Sequence, residues 1–135
     1  MQLTDVLREL YSTILITPEV ALEFGEVLPD FIQIRKSADP QKQRILSVLV
    51  DSGEAASIAL AFEIPNALLI LDDLKARKEA AKLGFRVTGT LGILTRAKKR
   101  GLIKQIVPYL SELQNSGFRI SESVVDEILK ICGEN

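Results

Sequence analysis

Three acidic residues stand where a helix begins or a strand ends, and they are the residues best placed to do chemistry. Glu54 follows a predicted turn at 51–53 and lies in the first turn of a helix of small residues. Asp72 and Asp73 directly follow the apolar segment 67–71. In an open parallel sheet both points can reach the same edge, outside the carboxyl ends of the strands, where ligands bind. Carboxylates converging there favour a hard cation, and with it metal-assisted phosphodiester chemistry.

The composition is that of a soluble globular domain with its own core. The chain has 135 residues, of which 47% are hydrophobic and 26% charged, and its net charge is −1. That charge predicts no general attraction to nucleic acid, so any nucleic-acid contact has to come from a local patch. The chain has no histidine, which excludes Ser-His and Cys-His catalytic pairs within one chain. Its single cysteine, Cys132, favours a reducing compartment, and we expect a cytoplasmic protein.

Predicted helices and strands alternate along the chain. The strands are expected at 13–17, 31–35, 67–71 and 85–87. The order of all elements is predicted to be α-β-α-β-α-α-β-α-β-α-α-α, with Asp72 or Asp73 capping the helix that Gly84 ends. This alternation predicts a mostly parallel α/β sheet with helices on both faces, in which the third strand is covered on both sides.

Other residues are candidates for contact with an RNA backbone. Lys75 and Arg77 lie on the helix that follows Asp73, and Thr90 ends the turn Thr88-Gly89-Thr90 at a helix start. Such a turn can present N–H groups and a hydroxyl to a phosphate, although an ordinary turn with an N-cap is the stronger interpretation. The acids also have structural explanations, because carboxylates stabilise the first turn of any helix.

The order and spacing of these segments resemble the PIN-domain superfamily, and in particular its DUF3368 branch. The matching segments are 10–20, 53–55, 69–73, 87–92, 99–103 and 117–121. The resemblance implies a single PIN-like domain over residues 1–135, built as a three-layer α/β sandwich around a short, mostly parallel sheet of about four strands. It also implies a relationship to metal-dependent ribonucleases, many of them toxins.

Carried over by position, the resemblance implies roles for four acids. Glu23, Glu54 and Asp72 would bind Mg²⁺ or Mn²⁺, and Asp73 would assist catalysis beside Asp72. Single-stranded RNA is the implied substrate, and its backbone would be contacted by Lys75, Arg77 and Thr90. A toxin–antitoxin context implies an antitoxin-like protein as a partner.

The sequence departs from the family at its N-terminus. Members usually begin with a central strand that ends in Asp followed by Thr or Ser, and this sequence starts after that strand. Asp5 is no substitute, because it lies within a predicted helix. The segments 13–17 and 67–71 would then have open edges, which a homodimer could fill unless the two strands close up or the gene starts upstream. The missing Asp leaves open a non-catalytic PIN-like binding or regulatory module, or an oligomeric scaffold.

Overall fold

The order of helices and strands in the structure is the predicted one. The computed structural model describes residues 2–135. The helices in this range are α1 Leu3–Leu10, α2 Pro18–Phe24, α3 Pro40–Leu46, α4 Ser52–Ala61, α5 Leu74–Lys82, α6 Thr90–Lys99, α7 Val107–Asn115 and α8 Glu122–Ile131. The strands are β1 Ile14–Ile16, β2 Ile32–Ile34, β3 Leu68–Ile70 and β4 Arg86–Thr88. This mixed α/β architecture is consistent with the predicted PIN-like fold.

Local sequence signals fix the ends of several elements. The Thr17 hydroxyl accepts the N–H of Val20 and caps α2. Asp73, and not Asp72, caps α5, because its carboxylate accepts the N–H of Ala76 at 2.9 Å. Gly84 follows α5 with φ of 92°, a left-handed conformation that favours glycine.

All strand pairing within residues 2–135 is parallel. β1 pairs with β2, and β3 pairs with β4. The pairs form two separate two-stranded sheets, so the closing up of β1 on β3 that the sequence left open does not occur in the described residues. β3 is not covered on both faces as predicted, because Leu69 is buried while its neighbour Ile70 is 38% exposed.

The chain forms two compact units, and the first comprises residues 11–90 with all four strands. Its core surrounds α4, in which seven of the ten residues are buried. Ala55, Ile58 and Ala59 from this helix belong to one cluster with Leu69 and Leu71. The small side chains of α4 let neighbouring elements approach closely, and α4 contacts α2, α3 and β3.

The second unit comprises residues 2–10 and 91–135, with α1 and α6 to α8. Glu134 ties two of these helices together: its carboxylate accepts the N–H of Ile106, the N-cap of α7, at 2.8 Å and lies 3.1 Å from the Lys98 ammonium. No helix within residues 2–135 is long and apolar enough to cross a bilayer. The single domain over 1–135 stays a prediction.

Candidate acidic site

Glu54 is held at the start of α4 by the residue that precedes the helix. Asp51 is the N-cap and has extended backbone, but its side chain makes no capping hydrogen bond. Its backbone N–H instead donates to the Glu54 carboxylate. This is one of the two reciprocal bonds of a capping box, so Glu54 has a structural role at the helix start as well as a place in the candidate site.

The pKa of Glu54 is raised above its ordinary value. Burial of the half-exposed side chain is the largest cause, followed by the negative charges of Asp51 and Asp73 and, more weakly, of Glu23. The hydrogen bond from the Asp51 N–H acts in the opposite direction. Four carboxylates from three stretches of the chain therefore share one negatively charged region around the first turn of α4.

Glu23 reaches this region from α2 and rests against Gly53. A Cβ atom placed on Gly53 would lie 2.7 Å from Oε1 and 3.2 Å from Oε2 of Glu23. The carboxylate therefore occupies the space that a side chain at residue 53 would take. It lies against the first turn of a ten-residue helix, where the helix dipole favours a negative charge.

Asp72 is held by Thr90 at the start of α6. The Thr90 N–H donates to Oδ1 at 2.8 Å, and the Thr90 hydroxyl donates to Oδ2 at 2.6 Å. Gly89 makes room for this contact, since a Cβ there would lie 2.8 Å from Oδ1. Asp72 thus supplies the carboxylate at the N-terminus of α6. Each carboxylate oxygen can still accept a further bond.

Of the three predicted RNA contacts, Thr90 is the one that binds the Asp72 carboxylate. Lys75 and Arg77 are exposed on α5, and Nη1 of Arg77 lies 3.7 Å from the position of a Cβ on Gly89. The single hydroxyl hydrogen of Thr90 is donated to Asp72, so this hydroxyl cannot donate to a phosphate at the same time. All three contacts stay predictions.

The donor set suits a hydrated hard cation and not a closed metal cage. Within residues 2–135, no three acidic or cysteine side chains are arranged to hold one ion together. Mg²⁺ usually keeps several waters and is bound through one or two carboxylates, which the exposed oxygens of Glu23, Asp72 and Asp73 can supply. The residues therefore fit an ion that one or two of them bind directly while the others contact its waters.

Three further residues shape this region and were not among the predicted site residues: Asp51, Gly53 and Gly89. Asp51 had a signal, because its spacing from Glu54 is that of a capping box. Gly53 and Gly89 lie in segments that match the family, but no local pattern shows that each faces a carboxylate distant in sequence. Such contacts are set by how α2, β3 and the helices pack, which periodicity does not reveal.

Residues 1–134 match the model of the DUF3368 family, which is described as a PIN domain. The chain belongs to this family. PIN domains are typically nuclease-related proteins and generally use divalent metal ions. No curated protein and no solved structure matches the chain.

Proposed function

We propose that this chain is a PIN-type ribonuclease that uses Mg²⁺ or Mn²⁺, bound by Glu23, Glu54 and Asp72, with Asp73 assisting beside Asp72. One observation carries the proposal: the carboxylates of Glu23 and Asp73, from two other segments of the chain, lie near enough to Glu54 for their negative charges to act on it. A divalent cation would neutralise this charge, and the family to which the chain belongs generally uses one.

The proposed roles of the protein residues follow from their contacts. A bound cation would lower the pKa of a water and stabilise charge on the phosphate. The Asp51 N–H orients Glu54, and Thr90 orients Asp72 through two hydrogen bonds. Lys75 and Arg77 are exposed cations on the helix that follows Asp73, and they would attract the backbone of single-stranded RNA.

Cleavage of a fluorescent single-stranded RNA tests the proposal. We expect cleavage with Mn²⁺ or Mg²⁺ and none with EDTA. Glu54→Gln and Asp72→Asn keep the shape of each side chain but remove its charge, and both should abolish cleavage. Glu79→Gln is the matched control, because Glu79 lies on α5, pairs with Lys82 at 3.6 Å and does not contribute to the raised pKa of Glu54.

Two results would contradict the proposal. One is the absence of cleavage at any concentration of either metal. The other is cleavage that Glu54→Gln and Asp72→Asn leave at the wild-type rate, which would indicate a contaminating nuclease. A wild-type protein that binds Mn²⁺ without cutting RNA would separate cation binding from catalysis.

A second candidate is a non-catalytic PIN-like binding or regulatory module, with a toxin–antitoxin system as its proposed context. Its support is the absence, within residues 2–135, of three acidic or cysteine side chains arranged around one ion. The structural role of Asp72 at the start of α6 points the same way. This candidate predicts no cleavage and unchanged partner binding in Glu54→Gln.

The open edges of β1 and β3 support a homodimer as a further proposal. Each strand has one hydrogen-bonded neighbour in the described residues, and an unpaired edge can pair with another chain. Light scattering after size exclusion would test this, with a dimer mass expected at micromolar concentration. A monomer mass across that range would leave an antitoxin-like protein as the proposed partner for these edges.

A further inference from the structure

Gly53 occupies a position where glycine is unfavourable for the helix itself. It is buried in the first turn of α4, and glycine stabilises a helix less than alanine does. Its φ is not among the positive values found at five other glycines. The backbone conformation therefore does not require glycine at residue 53. The explanation has to be the space available for a side chain there.

That space is filled by one side chain. The three atoms nearest to a Cβ on Gly53 all belong to the Glu23 carboxyl group, at 2.7 to 3.3 Å. An alanine would therefore force the end of Glu23 away from α4, which a flexible side chain can do without disrupting the backbone. The main effect of alanine at residue 53 would therefore be to move the Glu23 carboxylate.

We propose that Gly53 is a positioning residue that lets the Glu23 carboxylate rest against the first turn of α4, beside Glu54. The inference depends on the proposed function only in naming a cation as what the positioned carboxylates bind. The contact itself needs no cation, because the helix dipole favours a carboxylate at this point.

Gly53→Ala tests the inference in two backgrounds, wild type and Glu23→Asp. The shorter Asp side chain makes room for the added methyl group. We expect Gly53→Ala to raise the Mn²⁺ dissociation constant by about 10–100-fold, as the loss of a supporting contact does at metal sites. The double variant Gly53→Ala/Glu23→Asp should bind Mn²⁺ more tightly than Gly53→Ala alone. Ser52→Ala, in the same turn, should leave Mn²⁺ binding unchanged.

Urea unfolding of the four proteins without metal supplies the second measurement. The methyl group should stabilise α4 more in the Glu23→Asp background than in the wild-type background, because only the longer side chain is displaced. If Gly53→Ala shifts the unfolding midpoint equally in both backgrounds, residue 53 does not contact the Glu23 carboxylate. Equal Mn²⁺ affinity of wild type and Gly53→Ala would overturn the positioning role. If the wild type binds no Mn²⁺, the proposed function fails while the unfolding midpoints still decide whether Gly53 positions Glu23.

Discussion

Thr90 donates both its backbone N–H and its hydroxyl to Asp72, so one residue engages both oxygens of that carboxylate. The two residues lie 18 positions apart. They join the end of β3 to the start of α6. These two hydrogen bonds give Asp72 a structural role, which it keeps whatever else it binds.

Removal of the Thr90 hydroxyl should weaken this connection. Thr90→Val keeps the β-branched shape and the backbone N–H but loses the 2.6 Å bond to Asp72. We expect a loss of about 0.5–1.5 kcal/mol in the free energy of unfolding, measured in urea. Thr88→Val is the control, because the Thr88 hydroxyl makes only a 3.5 Å contact with the Gly89 carbonyl. An equal loss in both variants would refute the special role of Thr90.

Gly89→Ala should disturb the same contact from the other side. The new Cβ would lie 2.8 Å from Oδ1 of Asp72 and 3.3 Å from the Leu71 carbonyl oxygen, which is backbone and cannot yield easily. We expect lower stability and faster exchange of the Thr90 amide hydrogen by NMR. Because Gly89→Ala and Thr90→Val act on one contact, their effects on unfolding should not add. Simple additivity would contradict this explanation.

Glu54→Gln should stabilise the protein at neutral pH in the absence of metal. The folded-state pKa of Glu54 is raised, chiefly by burial and then by Asp51 and Asp73. A raised pKa penalises the folded state once pH rises from the ordinary value of 4.5 through the folded value. The gain from Glu54→Gln should therefore appear above that window and vanish below it.

Thermal melts at pH 7 and pH 3.5 would check this prediction. Glu26→Gln serves as the control, because Glu26 is exposed and does not contribute to the raised pKa of Glu54. A lower melting temperature for Glu54→Gln at pH 7 would mean that the hydrogen bond to the Asp51 N–H outweighs the repulsion. Added Mn²⁺ should reverse the ranking, because only the wild type keeps the charge that binds it.

Glu134→Gln should have the opposite pH dependence. Burial alone would raise the pKa of Glu134, but the N–H groups of Ile106 and Val107 and the Lys98 ammonium outweigh it and lower the pKa below the ordinary 4.5. A lowered pKa stabilises the folded state above that value, and this stability is lost as pH falls through the folded value. The variant should melt earlier at pH 7, and the deficit should shrink toward pH 3.

Glu127→Gln, an exposed position on α8, is the control for Glu134→Gln. It should change the melting temperature little at either pH. A deficit in Glu134→Gln that is constant with pH would assign the effect to packing and not to charge.

The local features of the fold could be predicted from the sequence, and the contacts between distant segments could not. Apolar periodicity, together with prolines, glycines and capping residues, predicted the order of all the elements. The choice between Asp72 and Asp73 as the cap of α5 was open, because either side chain can cap. In the structure Asp73 caps α5, and Asp72 is hydrogen-bonded to Thr90 at the start of α6.

The division into two sheets was also beyond the sequence. An apolar segment such as 67–71 indicates a strand but does not indicate which strands lie beside it. Glu23 illustrates the same limit. Its sequence neighbourhood is that of any exposed Glu, and only packing of α2 beside Gly53 brings it to the acidic region.

The small-residue helix α4 has a consequence for how this chain tolerates mutation. Ala55, Ala56 and Ala59 are at most 1% exposed, so almost any replacement enlarges a side chain in a filled space, at about 1–3 kcal/mol each. In a library of random single substitutions, α4 should be depleted of survivors, whereas α2, which has no buried residue, should accept most changes. Sequence drift in this protein is therefore expected to concentrate away from its central helix.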